Sequence, residues 1–167
     1  MTKEEKLSLV SEHFKNLYGK KIRPRLGSSM PINYMQERQT TTFILHPELK
    51  QTAYEMGRII GRGVCSEKIR GKNLSEIMDS NKPIASADGY AFEEIVEADD
   101  LHAIYRHYEC ADCYGIPNIG EKICVYEAGV ASGMFSEALG KLCRVREVKC
   151  CANGDDYCEF LVEVAEE

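Results

Sequence analysis

The segment KCCANGDDYCEF (Lys149–Phe160) sets Cys150, Cys151 and Cys158 around an Asn153-Gly154 pair, and a second thiol pair, Cys110 and Cys113, stands in the run ECADCYGIP. Thiolates are nucleophiles and soft metal ligands, so cysteines at these spacings can ligate a metal or cycle between dithiol and disulfide. The chain has eight cysteines in 167 residues. Its opening, MTKEEKLSLV, has charges where an export signal would have an apolar run. Nothing later approaches the roughly 20 apolar residues that span a bilayer. A soluble, cytoplasmic protein is the expectation, and in a reducing compartment clustered cysteines point to metal or redox chemistry rather than a disulfide frame.

An Asn-Gly pair between two strand-like runs is a strong hairpin signal. With Asn153 and Gly154 as the central residues of a tight turn, Ala152 faces Asp155, Cys150 faces Tyr157, and Cys158 stands one step further, close to Cys150. Along the second strand Cys158, Phe160, Val162 and Val164 share the apolar face, with Glu159 and Glu163 on the other. On the first strand Glu147 and Cys150 have opposite parity, so both aim at one point only if a bulge or strand end intervenes near Cys150. Cys124, on the inward face of the preceding helix, can close a pocket against this hairpin. Three thiolates and Glu147 would fill a tetrahedral zinc shell, and a shell with no open position marks a structural site. Structural zinc contributes roughly 10–16 kcal/mol in small peptides, against about 5–15 kcal/mol of net stability for a domain, so such a site would decide folding.

Cys110 and Cys113 are the rival ligand source. A Cys-x-x-Cys bite suits zinc and also occurs in redox motifs, although here it follows a hairpin instead of opening the helix of a βαβ unit. Cys65 and Cys143 read as small buried hydrophobes, and Cys151 as a bystander facing away.

The elements that must position these groups are few. With 44% hydrophobic and 29% charged residues, the chain suits one domain over residues 1–167, a helical part over about 1–83 and a zinc- and ligand-binding part over about 84–167. Thr2 and Glu5 form a capping-box pair ahead of Leu7, Val10, Phe14 and Leu17 at helical spacing, with Gly19 as a stop. Lys20–Thr42, with Pro24, Gly27 and Pro31, reads as an irregular connector. Pro47 opens a helix in which Leu49, Ala53, Met56 and Ile60 continue one face, and Asn73 with Glu76 opens a shorter helix ending before Pro83. AFEEIVEA and LHAIYRHYEC form an antiparallel hairpin across Asp99 and Asp100. A helix over about Glu121–Leu139 turns Cys124, Ala128, Ala131, Phe135 and Leu139 inward, and the last two strands close the chain. Helices, hairpin, helix and hairpin in this order predict an α+β fold, an antiparallel sheet covered by helices.

The segment ICVYEAGVASGMFSEALGKLCRVREVKCCANGDDYC combines a cysteine, a helix with Gly-x-x-x-Gly (Gly129, Gly133), and Glu-x-x-Cys followed by Gly-Asp-x-x-Cys. In this it resembles the 4-vinyl reductase domain family, strongly over the last third of the chain, and ECADCYGIP is similar to small stand-alone members. The resemblance implies a structural zinc on Cys124, Glu147, Cys150 and Cys158, the matching positions in the aromatic-sensing transcription activators that carry this domain. It implies a fold similar to the ligand-binding domains of nitric-oxide-signalling and Golgi-transport proteins, a homodimer, and a pocket near the zinc subdomain for a hydrocarbon-like or aromatic ligand. The chain has no Trp to line such a pocket, so the ligand's identity does not carry over.

Candidate pocket residues are Tyr90, Phe92, Tyr105, His107, Tyr108 and Tyr126, which join apolar area to a polar tip. His102 and His107 lie on opposite strand faces, which argues against a paired histidine metal site. Gly129 and Gly133 let another backbone approach closely, within the chain or across a dimer. Three functions compete. The first is a non-enzymatic sensor or carrier, a zinc-braced domain enclosing a small apolar molecule. The second is a reductase-type enzyme using Cys110 and Cys113 with a bound cofactor, although the glycines of GRIIGRG sit in a helical pattern and make no dinucleotide fingerprint. The third is an assembly subunit. A net charge of −6 and one short basic run, GKKIRPR, argue against a nucleic-acid partner.

Overall fold

Four strands pair in the order β1-β2-β4-β3, all antiparallel, so both hairpins are local and the join between them is the one long-range pairing. They are β1 (Phe92–Ala98), β2 (His102–Tyr108), β3 (Cys143–Lys149) and β4 (Cys158–Val164). The computed structural model describes residues 32–64, 69 and 71–165. The helix expected around Leu7, Val10, Phe14 and Leu17, the basic run Gly19–Arg25 and Cys65 lie outside the described residues.

The first described helix, α1 (Ile32–Leu45), forms where the sequence suggests an irregular connector. Its polar residues carry the correction: Gln36 donates to the carbonyls of Ala111 (3.0 Å) and Tyr114 (3.1 Å), and Gln39 to that of Ile123 (2.9 Å). With Phe43 buried, tertiary contacts hold α1 where amphipathic periodicity is weak.

Helix α2 (Leu49–Val64) starts just after Pro47, as expected, but its inward face is not the row Leu49, Ala53, Met56, Ile60. Leu49 and Met56 are exposed, whereas Gly57 and Gly61 are buried. These glycines meet Gly129 and Gly133 of α4 (Val125–Leu139) backbone to backbone. A Cβ at Gly57 would strike the Tyr126 carbonyl, and one at Gly133 the Arg58 carbonyl. Thus Gly-x-x-x-Gly on each helix removes the bulk that would otherwise separate them, and the partner of Gly129 and Gly133 is within the chain.

Helix α3 (Leu74–Ala87) opens with the expected cap: the Glu76 N–H donates to Asn73 Oδ1 (3.0 Å) and Glu76 Oε2 accepts from the Lys72 N–H (2.8 Å). It runs through Pro83 instead of stopping before it. Pro83 and Asp79, whose carbonyl loses its helical donor, are both exposed, so water can replace that bond. Leu74, Ile77 and Met78 anchor the inward side.

Helices α3 and α4 cover one face of the sheet, and α2 packs outside α4. The covered face presents Ala103, Tyr105 and His107 from β2, Val145 from β3, and Cys158, Phe160 and Val162 from β4, all buried. The parity read for Cys158, Phe160, Val162 and Val164 therefore holds, and so does the antiparallel α+β architecture. The opposite face is polar, with Arg106 paired to Glu159 (2.8 Å) and stacked on the Tyr157 ring at 4.5 Å.

Candidate metal centre and ligand pocket

Five thiols and one carboxylate converge where three chain segments meet. β2 ends beside the start of β4, His107 opposite Cys158. Glu109 then takes a left-handed conformation (φ 52°), turning the chain into the Cys110–Cys113 turn, where the Cys113 and Tyr114 N–H groups donate to the Cys110 carbonyl (3.2 and 2.9 Å). Cys124 stands at the N-cap of α4, which therefore starts later than the expected Glu121. The positive end of the helix dipole there favours an anionic thiolate.

On β3 the pairing slips between Glu147 and Lys149. This bulge cancels the parity conflict, so Glu147 and Cys150 are both turned inward and buried. The Asn153-Gly154 pair does not form a two-residue turn, however. Pairing stops at Lys149 opposite Glu159, and a 3-10 turn, Cys151–Asn153, leads to Gly154 at φ 91°. The Cys150 carbonyl accepts from the Asn153 N–H (2.9 Å) and the Asp155 N–H (3.2 Å), while Asp155 Oδ2 accepts from the Cys150 N–H (2.9 Å). These bonds use the groups a tight hairpin would put into its ladder, so Cys150 does not face Tyr157. They also explain the spacing Gly-Asp-x-x-Cys: Gly154 supplies the left-handed residue, Asp155 the clamp and Cys158 the next inward thiol.

Cys124 Sγ lies 3.8 Å from Cys110 Sγ, 3.9 Å from Cys150 Sγ and 3.7 Å from Cys158 Sγ, and Cys113 Sγ lies 3.1 Å from Cys158 Sγ. A tetrahedron of thiolates about 2.3 Å from a zinc ion has an edge of about 3.8 Å, so three of these separations already match a metal shell. Cys124, Glu147, Cys150 and Cys158 form one group whose donor atoms lie within 4.8 Å of one another, and Cys110, Cys113, Cys124 and Cys158 form a second. Glu147 Oε2 accepts from the Cys124 N–H (3.0 Å), and its buried Oε1 has no partner. The donor set fits a thiophilic ion, and the buried cluster can hold a metal.

Without metal, the charges conflict. Burial, then the charge on Cys150, pushes the Glu147 carboxyl up to about 10. Hydrogen bonds from Cys110, Cys124, Cys150 and Cys158 pull the Cys113 thiol down, while the same crowding pushes Cys124 and Cys158 up. A divalent ion would replace these retained protons. Cys143 is buried in the core away from both groups, and Cys151 is half-buried and belongs to neither.

A cavity of about 180 Å³ lies between α2, α3 and α4, lined by Ile60, Ile69, Ile84, Val130 and Met134 with Asn81, Tyr90, Tyr126 and Glu127. Burial, opposed by the nearby His107, pushes the Glu127 carboxyl up to about 7. Tyr90 donates to Asp112 Oδ2 (2.8 Å), and burial, then the Asp112 charge, holds its phenol protonated. Of the aromatic candidates, Tyr90 and Tyr126 line this cavity. Tyr105 and His107 are buried behind it, Tyr105 stacked on Phe160 at 5.0 Å and His107 edge-on to Tyr90 at 5.9 Å and paired with Glu93 at 3.2 Å. Tyr108 is on the polar face, donating to Glu94, Phe92 is exposed, and His102 is solvated. Glu127 was not singled out from sequence; it follows Cys124 by one helical turn, which is the only signal there was. A second cleft, about 390 Å³, borders Glu147, Tyr54, Val125 and Val145.

An antiparallel sheet under helices, with a buried thiol cluster at one end and an apolar cavity along the same helix, defines a compact class of α+β domain. Residues 103–164 match the model of the vinyl-4-reductase domain family, and the sequence resemblance to the 4-vinyl reductase domain family is thereby borne out. The uncharacterized protein MJ0150 of Methanocaldococcus jannaschii is 29% identical over 139 residues, 83% of this chain and 79% of that protein. Among solved structures, the phenol-responsive sensory domain of the transcription activator PoxR with phenol superposes with a TM-score of 0.63 at 13% identity, covering 83% of this chain and 77% of that one. A vinyl-4-reductase family protein from Methanocaldococcus jannaschii gives 0.58 at 19% identity, covering 99% and 98%. The fold extends, as expected, to a trafficking protein particle complex subunit 3 from Naegleria fowleri (0.51, 17% identity, covering 95% and 97%) and to an H-NOX protein from S. oneidensis (0.52, 10% identity, covering 95% and 90%). Among the described residues no helix is long and apolar enough to cross a membrane.

Proposed function

We propose that this chain is a non-enzymatic, zinc-containing sensor or carrier domain for a small apolar molecule. Cys124, Glu147, Cys150 and Cys158 hold the structural zinc, and the cavity between α2, α3 and α4 takes the ligand. The observation that carries this proposal is the cavity itself: apolar walls of Ile60, Ile84, Val130 and Met134, with Tyr90 and Glu127 as polar groups at its edge. A dry cavity of about 150 Å³ takes benzene, whereas drug-sized ligands need about 300–1,000 Å³. A volume of about 180 Å³ therefore suits a single ring or short chain. Glu127, with its proton held up to about 7, can donate to or accept from one polar substituent near neutral pH. The likeness to a phenol-responsive sensory domain supports the same ligand class. Exposed Leu49 and Met56, two turns apart on α2, support a homodimer, and the free thiols suit a cytoplasmic setting.

The test is elemental analysis with a visible spectrum, then thermal melting with phenol as the probe. A colourless zinc protein whose melting temperature rises with phenol, the rise abolished in Ile84→Trp, is the expected result. Iron, a flavin-like spectrum, or no response to phenol, toluene or short-chain alcohols would refute it. Cys150→Ser should lose zinc and melt at a lower temperature; unchanged metal and melting would sink the ligand set.

A further inference from the structure

A zinc shell of Cys124, Glu147, Cys150 and Cys158 leaves two buried thiols of the same cluster without a role. Cys110 and Cys113 are fully buried, at 0% exposure each, and their nearest sulfur neighbours in the cluster are Cys124 (3.8 Å) and Cys158 (3.1 Å). The two donor groups of four share those two cysteines. A thiolate sulfur has enough lone pairs to bind two metal ions at once, so two tetrahedra can share the Cys124–Cys158 edge, 3.7 Å long.

We propose that the cluster is a binuclear site for two thiophilic divalent ions, with Cys124 and Cys158 bridging, Cys110 and Cys113 completing one tetrahedron, and Glu147 and Cys150 completing the other. This rests on the zinc reading above and adds a second ion to it. Charge supports the count. Five thiolates and a carboxylate around one divalent ion would bury a net charge of about −4, whereas around two ions the net is about −2, that of an ordinary four-thiolate zinc site. A single ion would instead oblige Cys110 and Cys113 to remain neutral thiols, one of them packed 3.1 Å from a ligand sulfur.

The second half of the site is also built, and not a loose loop that happens to lie near. The Cys110–Cys113 turn is held from outside by Gln36, which donates to the Ala111 and Tyr114 carbonyls. From within, the Ala111 N–H donates to the Tyr90 carbonyl (2.9 Å), and Asp112 accepts from the Tyr90 hydroxyl. Four side-chain and backbone bonds thus fix the two thiols facing the shared pair before any ion arrives, which is the preorganisation a closed metal site requires.

The experiment uses the full chain, stripped and reloaded with cobalt(II), and the zinc form as purified. Native mass spectrometry and elemental analysis should give two ions per chain in the wild type and one in the Cys110→Ser, Cys113→Ser double variant. The electron paramagnetic resonance signal from the first cobalt should fall as the second enters, because bridging sulfur couples the two spins. One ion in both proteins overturns the second site and leaves the single-zinc reading standing. No ion in the wild type overturns both. Two ions with an undiminished signal overturn the bridge, and iron with acid-labile sulfide overturns the binuclear assignment. If the double variant does not fold, the wild-type stoichiometry and the cobalt signal decide alone.

Discussion

Gly61→Ala isolates the seam between α2 and α4. In an ordinary helix interior, alanine for glycine stabilises by about 1 kcal/mol. Here the new methyl would collide with the Val130 carbonyl oxygen and lie 2.8 Å from its carbon and 3.0 Å from the Met134 nitrogen. All three are backbone atoms, so no side chain can rotate away, and the helices must part until carbon contacts regain about 3.5–4.0 Å. Overpacking of this kind costs about 1–3 kcal/mol, and the parting also strips contacts at Gly57, Gly129 and Gly133 along the same line. The overpacking cost exceeds the propensity gain, and the net expectation is a loss of about 1–2 kcal/mol in urea unfolding at unchanged m-value. Gly57→Ala should lose a similar amount, and the double variant less than the sum, because one separation relieves both clashes. A rise in stability for either single variant would show that the helices are not in backbone contact. Because Ile60, Val130 and Met134 also line the cavity, the parted seam should weaken phenol binding as well.

Two further outcomes follow from the buried carboxylates. Glu127 holds its proton to about 7 in the folded state but ionises near 4.5 when unfolded, so the unfolded chain sheds that proton first and stability falls as pH rises from about 4.5 to 7. With water in the cavity the loss should be about 2 kcal/mol, and Glu127→Gln should flatten it in a series of melts; an unchanged slope would exclude Glu127 as its source. Asp155→Ala removes the acceptor of the Cys150 N–H and the Asn153 side chain. It should weaken metal retention about 10- to 100-fold against a chelator, and equal retention would show that Cys150 is held without the clamp.

How far the sequence exposed this arrangement differs by the range of the interaction concerned. The faces of β4 were legible because a strand repeats every two residues, and the Asn73–Glu76 cap because its partners are three apart. Glu147 could be assigned only conditionally, since the bulge beside it depends on pairing with Glu159 and Phe160. The Asn-Gly pair misled because Asp155 captures the Cys150 amide and diverts the chain into a 3-10 turn. Hydropathy picked Leu49 and Met56 as inward, yet the true seam is glycine, which adds no hydrophobic signal. α1 escaped notice because Gln36 and Gln39 earn their helix from carbonyls more than seventy residues away. The joining of Cys110 and Cys113 to the other thiols was hidden for the same reason, since it follows from β2 pairing with β4.

The first turn of α4 links the two candidate sites. Cys124 begins it inside the cluster, and Tyr126 and Glu127, two and three residues later, form part of the cavity wall. On the opposite side the same turn is locked by Gly57 against the Tyr126 carbonyl, so it cannot shift without disturbing the α2 seam. An ion that pulls on the Cys124 sulfur therefore fixes the rotation and height of the helix that presents Glu127 to a ligand. Coupling of this kind is reciprocal: to whatever degree the filled metal site tightens the cavity's affinity, the occupied cavity must tighten metal binding by the same factor. The proposed zinc is then structural in its chemistry but not neutral in its consequence, because the element it orders is one wall of the pocket.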